Sequence, residues 1–429
     1  MSVFANMPSG IAAVFWGVVT FSILVLLHEG GHFLVARAFG VKIHEFMLGL
    51  PGPALRRRSK RSGISYGVTA IPLGGYVRIA GMEPGREDVL LGAALGLLVD
   101  RGSMDAADLA GLLADRGADR DRASSLLATL EDWGAAEPMK DMPEYRAVME
   151  RGLDESDDDL LTRCRSKVYR GQPAWKRVTI LAAGVVVNLV TAILIFTVTL
   201  SVWGLPTATL TLDVIQKGSA AAKAGLRSGD TISAIDGRTM SGWDAVLASV
   251  AASKPGRTLS VTYVRGGQKT TAVALLGRKA DGHAVLGVGS RVRNVPVPPI
   301  TALKDSFTWT GMVFVAIGRL VDPRTFTSAI GNARSVVGIS YEVANAAKAG
   351  PLQYAWMIAL LSLSLGVMNI LPIPPLDGGK VLMEIIEKVA RRPIRKGLSY
   401  AISGVGTALL FSLIFYLMYA DVVRYIIKG

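Results

Sequence analysis

Residues 10–32 read GIAAVFWGVVTFSILVLLHEGGH. The mostly apolar run Gly10–Leu27 is long enough to cross a bilayer core, and it leads straight into His28, Glu29 and His32. An ionised side chain at the centre of a membrane helix costs about 2.5–3.5 kcal/mol, so such residues are expected to line a polar cavity and bind something. On a helix, HExxH sets both imidazoles on one face, one turn apart. That spacing suits zinc, and the intervening Glu29 is placed to act as a general base. The plainer alternative is a polar helix end reaching for the interface.

The rest of the chain agrees with a membrane setting. Half of its 429 residues are apolar and the mean hydropathy is +0.39, which points to an α-helical polytopic membrane protein. The single cysteine, Cys164, excludes an internal disulfide. Net charge is +13 but uneven: residues 86–165 carry 19 acidic and 10 basic side chains, net −9, which leaves +22 elsewhere. Much of that positive charge flanks hydrophobic runs, as topology signals do, so it argues for no nucleic-acid partner. The N-terminus, MSVFANMPSG, lacks the Lys or Arg of a signal-peptide n-region, and the first span is expected to be retained.

Four spans are expected: Gly10 to about Leu27, Val178–Trp203, Tyr354–Ile373 and Leu398–Tyr419. Basic residues bracket the first loop (Arg56, Arg57, Arg58, Lys60 and Arg61, then Lys167, Arg170, Lys176 and Arg177) and dot the last (Arg391, Arg392, Arg395, Lys396). The positive-inside rule puts both loops in the cytoplasm, with both termini and residues 204–352 outside. In the first loop, ISYGVTAIPLGGYVRIAG (64–81) predicts a β-hairpin at the membrane. Three helical stretches follow, Leu90–Asp100, Met104–Asp115 and Arg120–Trp133, resembling a small winged-helix domain. Its acidity favours a protein partner over a phosphate backbone. The run DESDDDLL (154–161) reads as a solvated linker. Outside, GSAAAKAGLRSGDTISAIDG (218–237) and the alternating stretches 258–265 and 270–276 resemble a PDZ domain, which binds extended peptide by strand addition. Around Trp309–Leu320 lies an apolar run too short to span. The expected organisation is a first span with HEGGH (1–40), the hairpin region (41–85), the acidic insertion (86–165), a second span (166–204), the PDZ-like α+β domain (205–290), an amphipathic outer region (291–350), a third span with LDGG (351–396) and a fourth span (397–429).

Two imidazoles leave zinc short of ligands, and a catalytic site commonly has three from the protein. NILPIPPLDGG (369–379) supplies the candidate, Asp377, where Pro372, Pro374 and Pro375 break the third span. Broken backbone at membrane depth is tolerated where it lines a cavity. His44 and His283 stand apart from the motifs.

HEGGH near the end of the first span, the PDZ-like segment and NILPIPPLDGG together resemble the site-2 protease family, in its bacterial regulator-of-sigma-E protease branch, over most of residues 10–424 outside the insertion. The resemblance implies a zinc metalloendopeptidase of the bacterial plasma membrane. It makes His28, His32 and Asp377 the zinc ligands, Glu29 the general base, and Asn369 a residue that handles substrate. AGVVVN (183–188) matches the family's second-span segment, with Val185 where a proline is usual, and this places Asn188 near the site as a further substrate-binding residue. LPGP (50–53) departs from the family's Gly-x-Gly loop. The implied activity is regulated intramembrane proteolysis of transmembrane proteins, an anti-sigma factor among them, with the bilayer and a cytoplasmic protein bound by the insertion as further partners. Two alternatives stay open: an inactive scaffold binding peptides through the PDZ-like domain, and a transporter with a midplane ion site, which predicts paired inverted repeats.

Overall fold

A computed structural model describes residues 9–71, 74–82, 87–140, 142–278, 282–319, 322, 324–325, 334–392, 394 and 396–423. The extreme N-terminus, Pro72, Leu320 and Arg395 lie outside that range. Two compact units divide the chain, residues 1–196 with 305–429, and residues 197–304.

In the first unit, helix α1 (Ser9–Ala38) does not end at HEGGH but carries it in its interior. Thirty residues give it a length of ~45 Å at 1.5 Å per residue. A four-stranded sheet follows: β1 (Ile43–Leu48), β2 (Ala54–Arg58), β3 (Ser65–Thr69) and β4 (Gly75–Ile79), in the order β2-β3-β1-β4. Residues 64–81 are therefore not a hairpin. β1 lies between β3 and β4, parallel to the one and antiparallel to the other. The alternation of β3 and β4 is the same in either arrangement; what decides is β1, whose Ile43 and Met47 are buried. Phe46 of β1 sits between Tyr66 and Val77 in the register and packs its ring 5.1 Å from that of Phe33 on α1. This aromatic contact fixes the sheet to the helix that carries the histidines.

The insertion forms α2 (Leu91–Arg101), β5 (Ser103–Asp105), α3 (Ala106–Leu112), α4 (Arg120–Trp133), β6 (Ala136–Pro138), β7 (Glu144–Ala147) and α5 (Asp157–Arg165), with sheet order β5-β7-β6. Leu95, Leu98, Leu109, Leu127 and Leu130 build its core. The acidic run is not a linker: it starts α5. Ser156 and Asp159 make a reciprocal capping box, Asp157, Asp158 and Asp159 sit in the first turn, where the helix dipole favours anions, and Leu160 and Cys164 enter the insertion's core. Burial pushes the Cys164 thiol up to about 11. The domain docks on the four-stranded sheet. The Gly81 N–H donates to the Asp132 carboxylate at 2.7 Å, and the His44 ring meets the Asp132 carbonyl at 2.5 Å.

Helix α6 (Ala174–Val202) follows, long and apolar enough to span. The second unit then adds β8 (Leu205–Ile215), α7 (Ala220–Lys223), β9 (Thr231–Ile235), β10 (Arg238–Thr239), α8 (Trp243–Ala251), β11 (Thr258–Arg265), β12 (Gln268–Leu275), the short pair β13 (Gly277–Arg278) and β14 (Ala284–Val285), and β15 (Val288–Val295). Its main sheet runs β12-β11-β9-β8-β15, with β10 on β9. Leu212, Ile232, Ile235 and Val261 form the core. The expected Gly229-Asp230 turn is present, and Asp230, almost fully buried, is clamped by Arg265 with Nε 2.7 Å from Oδ1.

Helix α9 (Pro299–Gly318) covers the short apolar run. Its Trp309 packs 5.4 Å from Phe196 and 5.0 Å from Trp356, so this face joins the helix assembly. Helix α10 (Val336–Ala349) lies against α1 through Ala12, Ala13 and Ala344. Helix α11 (Pro351–Ile370) ends three residues earlier than Ile373, before the prolines that cannot continue it. The LDGG segment then opens a separate helix, α12 (Asp377–Ala390), and α13 (Lys396–Val422) closes the chain. Among the described residues, four helices are long and apolar enough to span: Ser9–Ala38, Ala174–Val202, Pro351–Ile370 and Gly397–Val422.

Candidate metal centre

Helical spacing places His28 and His32 on one face of α1, rings 4.9 Å apart, each 7 % exposed. Asp377, 6 % exposed, is the first residue of α12. Unpaired N–H groups and the dipole at a helix start favour a carboxylate there. The three converge: Asp377 Oδ2 lies 2.9 Å from His28 Nε2 and 3.2 Å from His32 Nε2, and the two nitrogens are 3.3 Å apart. Lys380, one turn along α12, holds Nζ 3.6 Å from the other carboxylate oxygen.

Helix α6 forms the back wall. The His32 Nδ1–H donates to the Ile180 carbonyl at 2.7 Å, and the amide of Asn188, fully buried, lies 3.2 Å from His28 Nδ1. The two helices approach through paired glycines. A Cβ on Gly184 would fall 2.5 Å from His32 Nε2 and 2.7 Å from His28 Cε1, and one on Gly31 would fall 2.6 Å from the Ala183 carbonyl. Any side chain at Gly184 would fill the space in front of the imidazoles.

These residues fit a metal. One ligand atom from each of His28, His32 and Asp377 lies within 4.8 Å of the others, and among the described residues this is the one such group of His, Cys, Asp or Glu. Two imidazoles and a carboxylate, buried and short of a fourth partner, form the donor set of a catalytic zinc site. Glu29, half-buried, leaves the same turn of α1 toward β4, its Cγ 3.6 Å from where a Gly75 Cβ would stand. Asn369 is buried near the end of α11; among the described residues no hydrogen bond joins it to the three ligands. His44 is turned to Asp132, with its ring nitrogen 3.7 Å from the carboxylate. Of the residues singled out in the sequence, His28, His32 and Asp377 converge, Glu29 leaves the same turn of α1, and Asn188 lies at the Nδ1 edge of the His28 ring. Gly184 and Lys380 carried no assignment, although Gly184 lies inside AGVVVN and Lys380 directly follows LDGG. Beside the centre, a cavity of about 350 Å³ is lined by Tyr169, Lys380 and Glu384, and burial raises the Glu384 carboxyl above its ordinary range.

The pattern of peptidase family M50 matches residues 16–413. The metalloprotease MmpA of Caulobacter vibrioides is 30% identical over 94% of this chain and 94% of its own. The zinc metalloprotease RasP of Bacillus licheniformis is 26% identical over 95% of this chain and 98% of its own. A putative zinc metalloprotease of Lactococcus lactis is 26% identical over 95% and 97%. Among solved structures, the PDZ domain of an SdrC-like protein from Listeria monocytogenes is similar to 20% of this chain and 86% of its own, at 21% identity and a TM-score of 0.18.

Proposed function

The chain belongs to peptidase family M50, and from that premise we propose that it is an intramembrane zinc metalloprotease, hydrolysing peptide bonds within the transmembrane segments of membrane proteins. The observation that carries this reading is the convergence of His28, His32 and Asp377 on one point among helices apolar enough to span a bilayer.

Zinc, when bound by these three side chains, supplies a Lewis acid that polarises the scissile carbonyl and acidifies a water. Glu29 accepts the proton of the attacking water and passes it to the leaving amine as the C–N bond breaks, so one water is consumed and two chain ends form. The Ile180 carbonyl and the Asn188 amide hold the two imidazole planes. A substrate helix hides its backbone in its own hydrogen bonds and must be extended before attack. β4 is suited to hold it, as an edge strand whose Gly75 adjoins Glu29. The Gly74 carbonyl and the Ala80 N–H both bond back toward the sheet, so by alternation the groups of Gly75, Val77 and Ile79 face outward.

The remaining assignments belong to the same reading. The positive-inside rule sets the termini and the second unit outside a bacterial plasma membrane, and the insertion in the cytoplasm. The helix-strand-helix-helix-strand-strand order of residues 91–147 supports a winged-helix-like module, whose acidity suits a protein partner. In the second unit, a groove of about 590 Å³ between α8 and β14–β15, lined by Val246, Leu247 and Val250, supports a PDZ-like role in selecting substrate chain ends. Asn369 is assigned to substrate handling, and a membrane-bound anti-sigma factor is the substrate to test first. The experiment is reconstitution in liposomes with single-span substrates: cleavage that needs zinc supports the reading, and zinc-replete protein that cuts none of them contradicts it.

A further inference from the structure

Asn188 is completely buried on α6, with its amide against His28 and its Oδ1 without a hydrogen-bond partner. As drawn, its Nδ2 faces His28 Nδ1 at 3.2 Å. Amide oxygen and nitrogen are assigned from the surrounding network and are interchangeable in shape. The network here has a direction. His28 Nε2 and His32 Nε2 both point at Asp377 Oδ2, so Nε2 is the metal-facing nitrogen of each ring. A ring whose Nε2 gives its lone pair to a metal carries its proton on Nδ1 and must donate it. His32 does so, to the Ile180 carbonyl. For His28, the partner at Nδ1 among the described residues is Asn188, and an Nδ2 donor there would force the proton onto Nε2, away from the ligating form.

We infer that Asn188 is a positioning residue for the metal, its side-chain oxygen accepting the His28 Nδ1–H and holding that ring in the ligating tautomer. The inference rests on the zinc-peptidase reading and replaces the substrate-binding role expected for this residue. The backbone around it is anchored: Ser362 on α11 donates its hydroxyl to the Asn188 carbonyl at 2.9 Å, and a Cβ on Gly366 would lie 3.3 Å from Asn188 Cβ. Helix α11 thus holds this stretch of α6 against His28, and the two histidines receive equivalent acceptors from α6, a carbonyl for one and a side-chain oxygen for the other.

The test is zinc affinity by chelator competition on the full-length protein in detergent, with the visible spectrum of the cobalt-substituted form, for Asn188→Leu and Asn188→Asp. Leu keeps the bulk and removes the acceptor; Asp keeps an acceptor and removes the donor. The expected result is a fall of roughly 10–100-fold for Asn188→Leu, with an altered cobalt spectrum, and near-wild-type affinity and spectrum for Asn188→Asp. Unchanged affinity in Asn188→Leu overturns the inference alone. Equal loss in both variants, each keeping the helical circular dichroism of the wild type, overturns it too, since the donor is then what the site needs. Wild-type protein that takes up no zinc overturns the peptidase reading beneath it.

Discussion

His28 Nε2 and Asp377 Oδ2 stand 2.9 Å apart although 349 positions separate them in the chain. The first spanning helix and the start of α12 are thus brought to one point, and His32 on the next turn completes the set. Removing one ligand should leave two that cannot hold zinc. Metal analysis of Asp377→Ala or His28→Ala after dialysis is expected to fall from about one zinc per chain to near none. Full occupancy in Asp377→Ala removes that residue from the ligand set.

Glu29 leaves the same helical turn on a different side, toward β4. Glu29→Gln should therefore keep its zinc and its helical content while losing peptide cleavage by ~10²–10⁴-fold, since an amide cannot take the water's proton. Metal-replete Glu29→Gln with near-wild-type turnover assigns the proton to another group.

Gly184 leaves no room for a side chain in front of the imidazoles. Gly184→Val should lower zinc occupancy as a ligand substitution does, while circular dichroism retains the helical signal. Chelator competition at equal protein concentration checks this; wild-type affinity in the variant means that α6 yields without cost.

The outward-facing N–H of Val77 belongs to no sheet hydrogen bond in the alternation set by Gly74 and Ala80. Proline is tolerated on an edge strand at such a position. Val77→Pro is accordingly expected to spare the sheet and zinc binding while reducing cleavage of a transmembrane substrate several-fold. Unimpaired cleavage would place the extended substrate elsewhere.

Asp230 in the second unit is held below the ordinary carboxylate range by the Arg265 side chain first, with the Arg227 N–H adding to it. A lowered carboxyl contributes stability above its unfolded value of about 4, and loses it as pH falls through the folded value. Asp230→Asn should thus weaken hydrogen-exchange protection of residues 205–295 at neutral pH, with the difference from wild type narrowing only below about pH 4. A difference independent of pH would attribute the effect to packing.

What the sequence made legible was what is contiguous in it. HEGGH, LDGG and the four apolar runs are local patterns, and each of the four runs falls in a helix long enough to span; the ends were less legible, since the first helix runs eleven residues past Leu27 and LDGG opens a helix of its own. The sheet was not legible, because its order depends on β1 slipping between β3 and β4, and their alternation is the same with or without it. The acidic run at 154–161 reads as a linker by charge alone; the capped helix that starts in it, Asp157–Arg165, buries Leu160 and Cys164, four apart. Gly31 and Ala183 touch across some 150 positions, and so do His28 and Asn188. No spacing rule reports such pairs, so the contact of Asn188 with His28 had no local signal.

The central claim is hydrolysis inside the membrane at the His28–His32–Asp377 centre. It is tested most directly by mass spectrometry of the products of a reconstituted single-span substrate, incubated with wild-type protein, with chelator-treated protein and with Glu29→Gln. The account predicts new chain ends within the substrate's apolar span, absent in both treated samples and restored by zinc to the chelated one alone. Ends confined to the substrate's soluble segments, or formed equally by Glu29→Gln, would contradict it.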